Sequence, residues 1–189
     1  MDDASKPLEP AEREGFERLA QVVAGCQRGE RTAQERLYEM FHRRVYRLMV
    51  RMVGQQDAAD VTQEVFLQVF RTIAQYSGSA RFETWLYRLA VNQSYQHLRR
   101  ARRRRFEPLV ADPAGQTRSS AMESRELVEG ALARLDPELR AICLLREVDG
   151  FSYRQIAETL GIREGTVGSR LNRARRELKK RLVELGGGP

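Results

Sequence analysis

Residues 152–178 read SYRQIAETLGIREGTVGSRLNRARREL, and the fold of the C-terminal part of the chain turns on how this stretch is read. Ser152 followed three residues later by Gln155 is a capping-box pair. Each side chain can satisfy a backbone N–H that the first turn leaves without a partner, so a helix opens at Tyr153. Gly161 supplies the residue after Leu160 that takes a left-handed conformation and stops this helix. Beyond a short turn, Val167, Leu171, Ala174, Leu178 and Leu182 recur at three- and four-residue spacing, which gives a second helix one buried stripe. Two helices joined through a glycine-containing turn make a helix-turn-helix, whose second helix lies in the major groove of DNA.

The rest of the second helix points the same way. Ser169, Asn172, Arg173 and Arg176 stand at i, i+3, i+4 and i+7 and share one exposed face. Between Arg163 and Arg176 the only acid is Glu164, so the charge is nearly one-signed. Arginine pairs with guanine N7 and O6, asparagine with adenine, and the remaining groups hold phosphates. Farther on, Arg181 and Glu184 mix signs and read as an ordinary solvated helix. Gly165 and Gly168 stand out because a helix built for propensity alone would not use them.

Composition agrees with a polyanionic partner. The 189 residues carry a net charge of +7, with 31% charged and 41% apolar residues, which fits two small cores better than one large one. No segment approaches the roughly 18 apolar residues that span a bilayer, and the acidic start MDDASKPLEPAERE lacks a secretory h-region, so a cytoplasmic location is expected. Cys26 and Cys143 are far apart inside helical patterns and read as buried free thiols. His42 and His97 are isolated, and no metal site is expected. No Walker loop, GxGxxG, GxSxG or HExxH motif occurs, so no catalytic residues and no cofactor are predicted.

Hydrophobic periodicity is helical along the whole chain and no alternating strand is legible, which predicts an all-α protein. Helices are predicted from about Phe16 to Gln27, from Thr32 through Met52, from Ala58 to Ala74, where Val61, Val65, Val69 and Ile73 lie four apart, and from Phe82 to Arg104. Residues 106–121, FEPLVADPAGQTRSSA, change character, with two prolines and several small polar residues. Asp136-Pro137 then forms an N-cap and N1 pair opening a helix with Leu139, Ile142 and Leu145 on its stripe. The organisation is therefore two small helical domains, 1–105 and 123–189, joined by a flexible linker over 106–122.

A second basic cluster closes the first domain. HLRRARRRR, residues 97–105, has six arginines in the seven positions from Arg99. It continues a helix in which Trp85, Tyr87 and Tyr95 interleave with Arg88, Asn92, Gln93 and Gln96. Arginines beside amides and aromatics suit phosphates and unstacked bases, and the polar loop ahead of the helix, Tyr76 to Thr84, could hold a flipped base.

Four blocks now define a resemblance: DVTQEVFLQVFR (60–71), FETWLYRLAVNQSYQHLRR (82–100), LDPELRAICLLREVDGFSYRQIAETLGI (135–162) and GTVGSRLNRARREL (165–178). In this order across two domains the chain resembles bacterial RNA polymerase sigma factors of the extracytoplasmic-function (ECF) group. The resemblance implies a region 2 domain that binds the polymerase core, through Asp60, Gln63, Glu64, Phe66 and Leu67 on the β′ clamp region. It implies reading and opening of the −10 element by Tyr76, Arg88, Asn92, Gln96, Arg99 and Arg100, with Trp85 as packing. It implies a region 4 helix-turn-helix reading the −35 element through Thr166, Ser169, Arg170, Asn172, Arg173 and Arg176. The linker would thread toward the polymerase active centre. The implied partners are core polymerase and promoter DNA, duplex and melted, with an anti-sigma factor as inhibitor and no small-molecule substrate.

The chain departs from the family pattern at two positions. Gly168 stands where a basic residue is frequent, and Arg163 where Ser or Pro often caps the recognition helix, which bears on −35 preference and not on fold. Two rival readings are an autonomous DNA-binding regulator and an RNA-binding protein. The first requires a sensory pocket or receiver-type acidic cluster in residues 1–105, and none is legible. The second leaves the helix-turn-helix without a purpose.

Overall fold

The computed structural model describes residues 10–104 and 120–186. Among these residues there are eight α-helices, one short 3-10 turn and no strand: α1 Pro10–Gln27, α2 Arg31–Val53, α3 Gln55–Thr72, the 3-10 turn Ile73–Gln75, α4 Phe82–Arg104, α5 Ser120–Ala133, α6 Pro137–Glu147, α7 Tyr153–Leu160 and α8 Glu164–Glu184. The all-α expectation is met. Helix α1 begins earlier than predicted because Pro10 suits a first turn, where its missing N–H is no loss. Helix α3 starts at Gln55, not Ala58: Gly54, at φ 95°, ends α2 and turns the chain at once into α3. Most of the predicted linker lies outside the described residues, but 120–122, assigned to it by composition, form the first turn of α5.

The sequence-predicted caps form as expected. The Asp136 carboxylate accepts from the Glu138 N–H at 2.9 Å with Pro137 at N1, and the Ser152–Gln155 capping box is complete in both directions. Gly161 takes φ 65°, ψ 36°, the left-handed pair that stops α7. Helix α8 begins at Glu164, and its N-cap residue Arg163 makes no side-chain cap hydrogen bond, as the Arg163 departure predicts. One close approach needs glycine. A Cβ on Gly25 of α1 would lie 2.7 Å from the Ala33 Cβ of α2 and 2.8 Å from a Glu30 carboxylate oxygen.

Helices α1 to α4 enclose the first core, with Val61, Val65, Val69 and Ile73 all buried along with Leu37, Phe41, Val45 and Leu86. In the second unit α6 is the central element. Every residue from Leu139 to Leu145 is buried, so the three-residue stripe read from sequence understates it. Helices α8 and α7 pack on α6, and α5 lies along α8. The thiols of Cys26 and Cys143 are free and buried, and burial raises both above the usual thiol value, with nearby Glu30 and Glu147 adding to it.

The two units are in contact. Helix α7 packs on α4, and α5 and α6 reach the end of α2, so the buried residues form one continuous cluster. At this junction sits Arg140, only 6% exposed. Its guanidinium donates to the main-chain oxygen of Met52 in the last turn of α2, to Ala133 at the end of α5 (2.6 Å) and to Leu135 (3.2 Å). These are helix-end and turn carbonyls that lack an ordinary intrahelical partner, and a cation there also meets the negative end of the helix dipole. Desolvation pushes the Arg140 pKa below the ordinary arginine value, only partly offset by Asp136.

Candidate nucleic-acid interface

On α8 the apolar stripe is seated as the spacing predicted: Val167, Leu171 and Ala174 are buried and Leu178 is half-buried. That fixes the outward face. Ser169, Asn172, Arg173 and Arg176 are exposed, and Thr166 and Arg170 are half-buried at its margin. Their ion pairs divide them. Arg170 donates to Glu138 of α6 at 2.9 Å and Arg173 to Glu177 of its own helix at 3.0 Å, while Asn172 and Arg176 carry no side-chain hydrogen bond or ion pair among the described residues. The Ser169 hydroxyl donates back to the Thr166 carbonyl at 3.0 Å. Arg175, on the flank, is taken up by two contacts to Glu147. A Cβ on Gly168 would meet only Tyr153 Cε2, at an ordinary 3.6 Å, and one on Gly165 would meet nothing within 4 Å. Packing therefore demands neither glycine.

On α4 the spacing i, i+4, i+8 and i+11 puts Arg88, Asn92, Gln96 and Arg99 along one face, and all four are exposed, with Arg100 beside them. Arg88, Asn92 and Gln96 have no side-chain partner among the described residues, whereas Arg100 lies 3.9 Å from Glu64. The opposite face carries Leu86, Tyr87, Ala90, Val91 and Ser94, all buried. Two aromatics read as candidate base-stacking partners are thus turned away. Tyr87 is 1% exposed, and Tyr95 is half-buried against the core, where burial, followed by the carboxylates of Glu138 and Asp136, pushes its phenol well up.

The loop before α4 is held at both ends. Tyr76 donates its hydroxyl to the Ala80 carbonyl at 2.7 Å, and its ring stands edge-on to Phe82 and tilted against Trp85, so Trp85 packs as expected. Desolvation raises the half-buried Tyr76 phenol. Sequence reasoning missed Gln27, whose amide donates to the carbonyls of Ile73 (3.2 Å) and Tyr76 (2.9 Å) and anchors the loop to the end of α1. It also missed the α3–α4 contact between His97 Nε2 and Asp57 (3.0 Å) and the pair Arg44–Glu83 (3.1 Å). No local signal marks these, because each joins residues about 40 or more positions apart.

The remaining predicted residues gather on the outer side of α3. Asp60, Gln63 and Leu67 are exposed, Glu64 is half-buried, and Phe66 is buried with its ring against Tyr38 at 4.8 Å. Between α2 and α3 runs an open groove of about 540 Å³, lined by Tyr38, His42, Tyr46, Gln63, Leu67 and Phe70 and floored by Phe66. It is largely aromatic, and Leu67 is 48% exposed at its edge. Such a surface suits a partner helix that brings apolar side chains to the groove and polar ones to Asp60, Gln63 and Glu64.

No helix among the described residues is long and apolar enough to cross a membrane. The family models described as Sigma-70 region 2 and Sigma-70, region 4 match residues 37–104 and 125–178. Over 181 residues the chain is 34% identical to the RNA polymerase sigma-H factor of Pseudomonas aeruginosa, covering 87% of this chain and 94% of that one. It is 40% identical over 150 residues to the ECF RNA polymerase sigma factor SigE of Mycolicibacterium smegmatis, covering 75% of this chain and only 58% of the relative's length. Among solved structures it is similar to CnrH in complex with the cytosolic domain of CnrY (TM-score 0.67, 21% identity, 86% of this chain and 96% of that one). It is also similar to the sigma factor RpoE in complex with the anti-sigma factor NepR from Bartonella quintana (TM-score 0.63, 20% identity, 79% and 96%). Family matches on both helical units, together with a relative 34% identical over 94% of its length, show that this chain belongs to the ECF RNA polymerase sigma factors, the transcription initiation factors that bring polymerase to promoters.

Proposed function

We propose that the chain divides promoter recognition between its two helical units, acting in the cytoplasm and performing no covalent chemistry. Residues 37–104 contribute the polymerase-docking surface, with Gln63, Glu64, Asp60 and Leu67 around the aromatic groove and Phe66 beneath it. The outward face of α4 takes the −10 element. Arg99 and Arg100 hold phosphates, Arg88, Asn92 and Gln96 meet bases, and Tyr76 lies at the loop where an unstacked base is received. Each captured base is worth roughly 1–3 kcal/mol when stacked on a side chain, which offsets strand separation. The outward face of α8 takes the −35 element, with Asn172 and Arg176 at base edges, Arg173 alongside, and Thr166, Ser169 and Arg170 at the margin.

One observation carries this reading: on α4 and α8 alike, polar and cationic side chains line the face opposite a buried apolar one, and the groove on α3 lies on a third surface. The three sets of contacts therefore use different side chains and do not compete with one another. The solved relatives bound to NepR and to the cytosolic domain of CnrY support a protein inhibitor for this chain too.

The test is in vitro transcription with core polymerase and a promoter library. Specific initiation that depends on this chain is expected, and its absence sinks the reading. Replacing Gln63 and Glu64 together by alanine should weaken core binding while helical content stays unchanged. Undiminished core affinity would remove the α3 surface from the assignment.

A further inference from the structure

The loop ahead of α4 is latched from two sides, and one latch lies outside the region 2 match, which begins at residue 37. Gln27, the last residue of α1, donates through Nε2 to the Ile73 carbonyl at 3.2 Å and to the Tyr76 carbonyl at 2.9 Å. The Ile73 oxygen also accepts from the Tyr76 N–H at 3.1 Å, so one amide bridges both ends of the 3-10 turn that enters the loop. Gln27 itself stands on a stiff support. Behind it the Gly29 N–H closes on the Cys26 carbonyl and the Glu30 N–H on the Gly25 carbonyl, both at 3.0 Å. Gly25 lets α1 approach α2 so closely that a Cβ there would lie 2.7 Å from the Ala33 Cβ. The second latch is Tyr76, whose hydroxyl donates to the Ala80 carbonyl at 2.7 Å while its ring rests against Phe82 and Trp85. Between the latches the tip, Ser77, Gly78 and Ser79, is exposed. There the Ser77 hydroxyl donates to that of Ser79 at 3.2 Å, and Gly78 turns the chain at φ 77°.

Capturing an unstacked base favours a receiver that is already in shape. A loop that must order itself around the base loses part of the binding energy to that ordering, whereas a preformed one does not. Side chains behind such a receiver set its geometry without touching the ligand. Gln27 is exposed and adds nothing to the apolar core, yet its amide is committed to two carbonyls 46 and 49 positions away. We infer that Gln27 is a positioning residue for strand opening: from α1 it holds the loop of residues 76–81 in the shape that receives the unstacked base of the −10 element. It acts through the loop and makes no contact with DNA. The inference rests on the reading of this loop as the base receiver, and it brings α1 into the −10 machinery.

The test uses holoenzyme assembled from core polymerase and the full chain, on a promoter from which the wild type initiates. The probe is the −10 strand that this holoenzyme binds when unpaired, as a fluorescent oligonucleotide, with each nucleotide made abasic in turn. In the wild type one position should cost the most, about 5- to 100-fold for the loss of one stacked base. Gln27→Met keeps the stem and removes both donors. It should bind the intact strand about three- to ten-fold more weakly, a part of what that base contributes, and slow promoter opening by a similar factor. The abasic change at that one position should then cost Gln27→Met correspondingly less than it costs the wild type, the coupling expected when two changes act on one contact. Tyr76→Phe, which releases the second latch and keeps the ring, should show the same position-specific coupling. Core affinity and binding to the −35 duplex should match the wild type in Gln27→Met. Wild-type affinity of Gln27→Met for the intact strand overturns the inference, as does a loss of the same size whichever base is missing, which would make Gln27 a packing residue. Either result leaves the sigma-factor reading standing. Failure of the wild-type chain to give promoter-specific initiation overturns that reading itself.

Discussion

Arg140 of α6 donates to the main-chain oxygen of Met52 at the C-terminal end of α2, 88 positions earlier in the chain. One guanidinium there serves three backbone carbonyls from two helical units, so its removal cannot be local. Arg140→Met keeps the apolar stem and deletes every donor. With each buried group left unsatisfied costing about 1–3 kcal/mol and water recovering part of it, a net loss of about 2–4 kcal/mol is expected in urea unfolding. Arg140→Lys should recover little, since one ammonium cannot reproduce the planar fork that meets carbonyls on both sides. An Arg140→Met chain as stable as wild type would show that the carbonyls find other donors.

Asp149 provides a pH-dependent readout of the same junction. Burial raises its carboxyl above the ordinary 3.8, and the Tyr87 hydrogen bond and the charges of Arg44, Arg47 and Arg51 only partly oppose this. A raised folded-state value means that the packed chain binds the proton more tightly than the unfolded one. The resulting stabilisation is present below the ordinary carboxylate value and is lost as pH rises through the raised one. At pH 7 the ionised group therefore weakens the fold. Asp149→Asn, which keeps an oxygen to accept from Tyr87, should melt higher than wild type at pH 7. The gap should close as pH falls through the raised range toward 3.8. A lower melting temperature for Asp149→Asn at neutral pH would contradict this.

How much was legible beforehand follows from the range of each interaction. The caps at Asp136, Ser152 and Gly161 and the stripes of α3 and α8 act within one or two turns, so sequence spacing reveals them directly. The exposed face of α8 was legible for the same reason, because fixing the buried side fixes its opposite. On α4 the apolar and polar faces were readable, but not that Tyr87 and Tyr95 would turn toward a second unit. That depends on the hydrogen bond from Tyr87 to Asp149 and on the charges of Glu138 and Asp136 near Tyr95, all more than 40 positions away. Arg140 was illegible for a different reason: an arginine within Pro137–Glu147 reads as a solvated residue unless three carbonyls converge on it. Gln27 and His97 likewise take their roles from partners 40 or more residues distant.

Gly168 lends itself to a gain-of-function test. Its environment leaves ordinary room for a side chain, so Gly168→Ala should stabilise the chain by about 0.5–1 kcal/mol through helix propensity alone. Gly168→Arg adds a cation to the reading helix. If the side chain reaches a phosphate, promoter affinity at low salt should rise, and the slope of log affinity against log salt should steepen by about one unit. An unchanged slope would mean that position 168 faces away from the backbone of the bound duplex.

On the proposed reading of α8, its pairing pattern predicts which side chains read bases and which hold phosphate. Arg173 is engaged by Glu177 at 3.0 Å, whereas Asn172 and Arg176 have no side-chain partner among the described residues and would meet DNA without first giving one up. Asn172→Ala should cost about 1–3 kcal/mol on the preferred −35 sequence and much less on a scrambled one, because a lost bidentate base contact removes discrimination. Glu177→Gln should act in the opposite sense: freeing Arg173 and deleting a negative charge near the duplex strengthens binding to both sequences alike, more at low salt than at high. Fluorescence anisotropy of the holoenzyme on matched and scrambled −35 duplexes at two salt concentrations distinguishes these outcomes. Equal losses on both duplexes for Asn172→Ala would reassign that residue to the phosphate backbone. A Glu177→Gln effect confined to the matched sequence would place Arg173 at a base edge.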